Sequence, residues 1–207
     1  MPRLRIEDVR SVFALFITYW KGLKMTMPGP NPQGLDGTAS LISGAVKTLH
    51  DASRNRFHKD CFMTMTRISP MTMTDHPEAM NLWRGTPGIG LSPADGPEAM
   101  RAYLLRNPDL SQCARIGAAL VGTVLAGHDG RRGYLHHLCV HEGFRKLGIG
   151  RLLVSRALDA LAAEGIDKAH AFLFTDNGTG KTFWESAGWV WRTDIGVVSR
   201  TIGEEGR

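Results

Sequence analysis

The stretch LHHLCVHEGFRKLGIG, residues 135–150, decides the fold of this chain. It begins as a strand-like run, passes through a basic turn that contains two glycines, and opens directly onto an amphipathic helix. The first N–H groups of a helix lack intrahelical partners and lie at the positive end of the helix dipole. The turn therefore predicts a phosphate site, with Arg145, Lys146 and Arg151 adding positive charge.

The composition is that of one globular domain with an appended segment. The 207 residues are 43% hydrophobic and 22% charged, which is enough for one good core. Residues 1–60 hold nine of the 25 Lys and Arg but five of the 20 Asp and Glu, so the pI near 9.4 comes mostly from this segment. Because the main body is nearly neutral, we expect no nucleic-acid partner.

Three widely spaced cysteines, Cys61, Cys113 and Cys139, show neither a CxxC pair nor a Cys/His metal spacing. They predict neither a disulfide framework nor a zinc site, and we expect no metal. The apolar run 12–20 is too short to span a bilayer, and it lacks the cleavage site of a signal peptide. We therefore expect no membrane partner and a cytoplasmic location.

The chain divides into an N-terminal extension, residues 1–60, and a domain, residues 61–207. The extension carries two candidate helices around a segment rich in proline and glycine, MPGPNPQGLDG, which is typical of a flexible connection. It is either a docking or membrane-surface segment or an unstructured extension, and we favour the second interpretation.

Apolar periodicity in the domain predicts an α+β fold with the order β-α-α-β-β-β-α-β-α-β-β, a mixed sheet with helices on both faces. The poorly ordered or helical extension precedes it. The predicted strands cover 62–68, 112–116, 120–128, 134–140 and 168–174, with two more within 189–202; the helices cover 75–83, 97–106, 149–164 and 179–187.

A second glycine-rich segment, TDNGTGKT at 175–182, nearly matches the P-loop of nucleoside triphosphatases. The pattern requires glycine where Thr175 stands, and too few residues follow the segment to supply further β-α units. We therefore interpret it as a turn from strand to helix, with Asn177 or Thr179 as the helix cap.

The segment VHEGFRKLGIGRLLV at 140–154, followed by Asn177 and by KTFWESAGW at 181–189, resembles the GNAT superfamily of acetyl-CoA-dependent N-acetyltransferases. The resemblance covers about residues 63–202. It implies acetyl-CoA as cosubstrate, no metal, and a primary amine as acceptor, either on a small molecule or on a protein. It also implies direct attack of the amine on the thioester, without a covalent enzyme intermediate. The sequence leaves a homodimer open.

The resemblance also assigns cofactor contacts. The pyrophosphate of CoA would lie on the turn between strand and helix, the pantetheine arm would pair with the end of the preceding strand, and three residues of the following segment would lie near that arm or the sulfur. The implied pyrophosphate residues are Arg145, Lys146, Leu147, Gly148, Ile149, Gly150 and Arg151; the pantetheine residues are Leu138, Cys139 and Val140, joined by Asn177, Lys181 and Trp184.

Acetyl transfer to an amine needs a proton acceptor, and histidine is well suited to that role. The chain reads YLHHLCVH where arylalkylamine N-acetyltransferases read HLHALAVH, so His136 and Tyr134 match their two histidines. We expect these two side chains to be catalytic, with His136 as the proton acceptor, although His136 bonded to the main chain of the sheet remains an alternative. Strand alternation places His137 on the opposite face, where a structural role is expected.

Trp184 stands where many members of this superfamily have a tyrosine that protonates the leaving thiolate. The indole N–H cannot release a proton at physiological pH. This departure leaves an alternative open, in which the chain is a catalytically weak CoA-binding module with a regulatory or sensor function.

Overall fold

The computed structural model describes residue 63 and residues 65–202, so the prediction for residues 1–60 lies outside the described part of the chain. The described residues belong to two compact units. One contains the described residues 63, 65 and 66 together with Glu142–Gly148, and the other contains Arg67–His141 together with residues 149–202.

Five strands and four α-helices are present in the described residues, with two short 3₁₀ turns between them. The strands are β1 (Thr66–Pro70), β2 (Gln112–Ile116), β3 (Ala119–His128), β4 (Gly133–Val140) and β5 (Ala169–Ala171); the helices are α1 (His76–Arg84), α2 (Pro97–Arg106), α3 (Ile149–Ala163) and α4 (Gly178–Ser186); the 3₁₀ turns are Pro93–Asp95 and Glu142–Phe144.

The strands form one mixed sheet in the order β1-β2-β3-β4-β5. The pairs β2–β3 and β3–β4 are antiparallel and have short connections, whereas β4 and β5 are parallel, and α3 lies between them in the chain. This is the geometry that each connection length requires, because parallel neighbours need a long crossover. The α+β class predicted from the sequence is confirmed.

Helices cover both faces of the sheet, as predicted, and β3 shows this directly. The indole of Trp83 in α1 donates to the hydroxyl of Thr123 at 2.8 Å. On the neighbouring residue, a Cβ added to Gly122 would lie 3.0 Å from Leu153 in α3. Because adjacent strand residues point to opposite faces, α1 and α3 lie on opposite sides.

The core on the α1 and α2 side is apolar and tightly packed. Its largest fully buried members are Trp83 and Met100, which contribute most to stability, since each large apolar side chain stabilises the fold by about 1.5–3 kcal/mol when buried. The buried members of this cluster are Met71, Ala79, Trp83, Met100, Cys113, Leu120, Leu125 and Cys139.

Residues 189–202 contain no strand, whereas the sequence predicted two there. The apolar residues that suggested strands are exposed, including Val198 at 98% and Ile202 at 97%. An alternating pattern gives a segment one apolar face, but a strand also needs a neighbour that completes its hydrogen bonds, and no such neighbour is present among the described residues. β5 is likewise shorter than predicted.

Within the described residues, no helix is long and apolar enough to cross a membrane.

Candidate active site

The parallel pairing of β4 with β5 ends part-way along β4, and the candidate site lies at this end of the pairing, here called the divergence of β4 and β5. Their parallel pairing consists of Gly133 with Ala169, Tyr134 with His170, and Leu135 with Ala171. The strand β4 nevertheless continues to Val140. The β5 side of β4 is therefore not covered by β5 beyond Leu135, and an extended ligand can approach there.

A β-bulge lies directly beyond this point on the other edge of β4. The pairing with β3 passes from Leu125–His136 to Thr123–Cys139, so that two β4 residues, His137 and Leu138, oppose one β3 residue. His137 adopts the left-handed region, with φ of 49°. A bulge of this kind interrupts the alternation of side chains.

The bulge overturns the predicted orientation of His137. Its imidazole contacts the ring of Trp83 in α1, with the two ring centroids 4.7 Å apart, and lies on the α1 side of the sheet. His136 pairs with Leu125, whose side chain belongs to the same apolar cluster as Trp83. Both histidines therefore lie on the α1 side, and His137 does not point away from the candidate site.

Hydrogen bonds hold His137 from two sides. Its Nε2 lies 2.7 Å from Oδ1 of Asp95, and their side chains are 15% and 8% exposed. Oδ2 of Asp95 accepts from the N–H of Ser92 at 2.7 Å. From the core, the Thr123 hydroxyl donates to the carbonyl of His137 at 3.2 Å while accepting from Trp83.

His136 is the second imidazole at the divergence. Its ring stacks on that of Phe172, just past the last β5 pair, with centroids 6.0 Å apart. Burial, and then the neighbouring His137, lower the pKa of His136, whereas Asp95 acts in the opposite direction. The imidazole is therefore neutral at neutral pH, which is the form that accepts a proton.

The hydroxyl of Tyr134 donates to Oδ2 of Asp129, in the turn between β3 and β4, at 3.2 Å. Its ring stacks on Phe172 with an interplanar angle of 10°. Partial burial and the Asp129 carboxylate raise the pKa of Tyr134, so the phenol stays protonated. Tyr134 thus forms a wall of the site and is fixed by Asp129.

Asn177 caps α4, as one of the two interpretations of its segment predicted. Its Oδ1 accepts from the N–H of Gly180 at 2.8 Å. Its amide nitrogen faces Gly88 in the loop after α1, where an added Cβ would lie 2.6 Å away. The carboxamide oxygen of Asn177 therefore caps α4, and its nitrogen lies against this loop.

Lys181 and Trp184 lie further along α4. The ammonium of Lys181 lies 5.1 Å from the centroid of the Trp191 ring and 3.9 Å from Glu185. Trp184 is 8% exposed and packs edge-on against Trp189, with centroids 4.5 Å apart. The indole of Trp184 therefore belongs to an aromatic cluster at the end of α4.

The loop Glu142–Gly148 has the backbone of a tight turn. Arg145 N–H bonds to the carbonyl of Glu142 at 3.2 Å. Lys146 and Gly148 both have positive φ, 63° and 95°. Successive N–H groups in turns of this kind form concave anion sites, and the chain enters α3 at Ile149, one residue after the loop.

The family comparison decides the identity of the domain. Residues 77–189, more than half of the chain, match the model of the acetyltransferase (GNAT) family. The chain belongs to the GNAT family of acetyltransferases. The fold that the sequence resemblance implied is thereby confirmed, and so is the acetyltransferase class.

Relatives agree with this assignment. An acetyltransferase of Pectobacterium atrosepticum is 39% identical over 88 residues, which are 42% of this chain and 62% of that protein. An acetyltransferase of Yersinia enterocolitica is 30% identical over 67% of this chain and 97% of its own length. The solved structure of AAC(6′)-Iy, in complex with the bisubstrate analogue CoA-S-monomethyl-acetylneamine, has a TM-score of 0.53 at 17% identity, covering 67% of this chain and 99% of that one.

Two residues for which the resemblance implied a pyrophosphate contact, Gly150 and Arg151, also make packing contacts within the domain. A Cβ added to Gly150 would lie 3.2 Å from the ring of Phe183 in α4. Arg151 donates from Nη2 to the carbonyl and hydroxyl of Ser186, at 3.0 and 3.2 Å. The Arg151 side chain therefore connects α3 to α4, and Gly150 leaves room for Phe183 of α4; neither contact uses a main-chain N–H group.

We expect Gly150→Ala to destabilise the GNAT domain by about 1 kcal/mol, because the new methyl group presses against Phe183. Thermal unfolding would show this as a lowered Tm. The double variant Gly150→Ala with Phe183→Leu should recover part of the loss, since leucine vacates the ring edge. If the Tm losses of the two single variants simply added up in the double variant, the contact would be contradicted.

Four residues that contact the two histidines of the candidate site could not be assigned to it from the sequence: Trp83, Asp95, Thr123 and Phe172. From the sequence alone, Asp95 is either a contact for the acceptor amine or a charge at a helix start. The pattern Ser92-x-x-Asp95 is a capping-box signal, and the structure shows both of its hydrogen bonds. That signal marks the turn, but it cannot show that the carboxylate meets His137.

Within the described residues, no group of acidic, histidine or cysteine side chains could hold a metal ion.

Proposed function

We propose that this acetyltransferase transfers the acetyl group of acetyl-CoA to a primary amine, which attacks the thioester directly. The observation that carries the proposal is the end of the β4–β5 ladder at Leu135, with two histidines and a bulge directly beyond it. An amine acceptor is in keeping with the acetylneamine part of the analogue that AAC(6′)-Iy binds. The acceptor of this chain is either a small molecule or a protein amino group.

The proposed place of the cofactor follows from the main chain. The pantetheine arm pairs with β4 along Leu138, Cys139 and Val140, where β4 continues past its last pair with β5. We place the pyrophosphate on N–H groups between Lys146 and Arg151, as the resemblance implies. The positive φ values of Lys146 and Gly148 support this for the loop, and the helix start at Ile149 supports it for the residues that follow. Lys146 adds charge.

The proton chemistry is assigned to His136. An alkylamine is mostly ammonium at neutral pH and must lose a proton before it can attack. His136 is held neutral by burial and lies at the divergence, so we propose that it accepts a proton from the amine nitrogen, directly or through water. A main-chain N–H near Leu138 would stabilise the oxyanion of the tetrahedral intermediate. Tyr134, fixed by Asp129, lines the same face.

A covalent route through a cysteine is not favoured by the surroundings of the thiols. Burial raises the pKa of Cys113 to about 12. Cys139 is 2% exposed, and its Sγ–H donates to the hydroxyl of Thr86 at 3.0 Å. A thiol needs its thiolate form to act as a nucleophile.

We therefore expect Cys139→Ala to keep the acetyl transfer rate within about threefold of wild type, a change of at most about 0.7 kcal/mol in the barrier. Mass spectrometry of wild-type protein quenched during turnover should find no added acetyl group on Cys139. An acetylated Cys139 that forms and decays at the rate of turnover would contradict direct attack.

The experiment that tests the function is thiol release from acetyl-CoA by the full chain over a panel of amines: amino acids, polyamines, aminoglycosides and peptides with free N-termini. We expect release that depends on one class of amine. A CoA-binding regulatory or sensor module is the second candidate, favoured by the tryptophan at 184 and its burial. Binding of CoA without release for any amine would support that module.

A further inference from the structure

The buried pair of His137 and Asp95 has no role in the reaction proposed above. Its side chains are 15% and 8% exposed, and in the described part of the chain His137 is the one basic side chain in an ion pair with Asp95. Burying a carboxylate costs free energy unless it is paired and hydrogen-bonded. The pair also lies at the left-handed residue of the β4 bulge, and backbone conformations of this kind concentrate at functional sites.

The hydrogen bonds of Asp95 determine which nitrogen of His137 carries the proton. Oδ2 accepts from the N–H of Ser92 at 2.7 Å and from its hydroxyl at 3.3 Å. An ionised carboxylate only accepts, so the 2.7 Å contact with Oδ1 places the hydrogen on Nε2 of the imidazole. In the neutral ring, Nδ1 is then the nitrogen with a lone pair.

The second nitrogen of His137 makes no hydrogen bond within the described residues. The fully buried side-chain atoms that lack a partner there include Tyr103 Oη but not His137 Nδ1. Nδ1 therefore keeps some exposure. The imidazole is thus bonded to a carboxylate at one end and open at the other, beside the divergence of β4 and β5. Other titratable groups around the pair are His136 on β4 and His76 on α1, whose Nε2 lies 2.8 Å from the Asp95 carbonyl oxygen.

We propose that His137 is a second proton acceptor of this site, acting through Nδ1, and that Asp95 is its positioning residue. This inference rests on the acetyl transfer proposed above. The ammonium of the acceptor loses one proton before it attacks, and the nitrogen loses another as the C–N bond forms and the C–S bond breaks. The departing thiolate takes up one proton, so one proton is released overall.

The two histidines divide these transfers according to their charge environments. In this refinement of the assignment above, His137 rather than His136 receives the ammonium proton, because the Asp95 carboxylate balances the imidazolium that results. His136 makes no ion pair within the described residues, so it takes the second proton only transiently and returns it to the thiolate. The order of the two transfers follows from the chemistry, since the neutral amine must exist before it attacks.

The first test is spectroscopic and needs no activity. Imidazole nitrogen shifts of the full chain, without ligands, should show His137 in the Nε2–H tautomer, and Asp95→Asn should mix the tautomers. Asp167→Asn, which removes an exposed carboxylate 3.1 Å from Arg132, is the control and should leave His137 unchanged. An Nδ1–H tautomer in wild type would overturn the proposal.

The second test is kinetic. With acetyl-CoA and the best amine of the panel, Asp95→Asn should lower kcat by about 10²-fold while the KM for acetyl-CoA changes by less than about twofold. His137→Gln should lose the same factor, and Asp167→Asn should lose none. An active wild type whose kcat is unaffected by Asp95→Asn would overturn this inference alone. A wild type inactive with every amine would overturn the proposed function with it.

Discussion

His136→Gln is expected to lower kcat by about 10²-fold, the lower end of the range for a proton acceptor in general base catalysis. Glutamine keeps the size and polarity of the side chain but cannot accept a proton at neutral pH. The variant should fold, because His136 stacks on Phe172 at the edge of the site and lies outside the apolar cluster beneath α1 and α2. The measurement is thiol release at saturating acetyl-CoA and amine.

The pH dependence makes this result specific. Only the neutral imidazole accepts a proton, so kcat falls as the pH decreases through the pKa of His136. Because burial lowers this pKa below the ordinary 6.5, the acidic midpoint of the wild-type profile is expected below 6.5, and His136→Gln should shift that midpoint. His170→Gln is the matched control: its ring lies 6.1 Å from Tyr134 on the same sheet, and its profile should match wild type. Identical profiles for wild type and His136→Gln would contradict the assignment.

Gly148→Ala is expected to raise the KM for acetyl-CoA about tenfold and to change kcat little. Gly148 has a φ of 95°, which a residue with a Cβ adopts at a cost of about 1–2 kcal/mol, and tenfold in affinity corresponds to about 1.4 kcal/mol. Relaxation of the strained loop would turn its N–H groups away from the proposed position of the pyrophosphate. Initial rates over a range of acetyl-CoA concentrations give both constants.

Gly130→Ala is the control for this prediction. Gly130 lies in the turn between β3 and β4, has a φ of 87°, and has no atom within 4 Å of an added Cβ. Both variants therefore carry similar backbone strain and should lose similar stability, but only Gly148→Ala should weaken the cofactor. Equal KM values for the two variants would show that the loop of Gly148 does not bind the diphosphate.

Local chemistry made much of the fold predictable. The helix Pro97–Arg106 and the strand Gln112–Ile116 have the predicted bounds. Proline at the first helical position and the turn residues between the two elements mark these limits in the sequence. The start of α3 at Ile149 is similarly set by Gly148, whose positive φ ends the preceding loop.

The geometry of the site could not be predicted, because it depends on contacts between distant residues. Alternation along β4 predicted the wrong side for His137, since the bulge is fixed by the Thr123 hydroxyl on the neighbouring strand and by Asp95, 42 positions earlier in the chain. Likewise, a Cβ added to Gly150 would lie 3.2 Å from the ring of Phe183, a contact that no local motif indicates. Such pairings are set by tertiary packing, to which neither periodicity nor a local motif is sensitive.

The C-terminal residues illustrate the same limit for secondary structure. Val197 and Val198 are typical strand formers, yet both are exposed, at 70% and 98%, and neither lies in a strand. β-propensity describes how well a side chain fits a pleated, half-buried surface, so it has no effect where such a surface is absent.

Binding of CoA by the full chain, measured by calorimetric titration, tests the central claim most directly. The claim is that the main chain between Lys146 and Arg151 binds the diphosphate of acetyl-CoA. We predict saturable heat with one CoA per chain, which weakens in Gly148→Ala, and no comparable heat with pantetheine, which lacks the diphosphate. A folded wild-type protein that gives no heat with either CoA or acetyl-CoA would contradict the account.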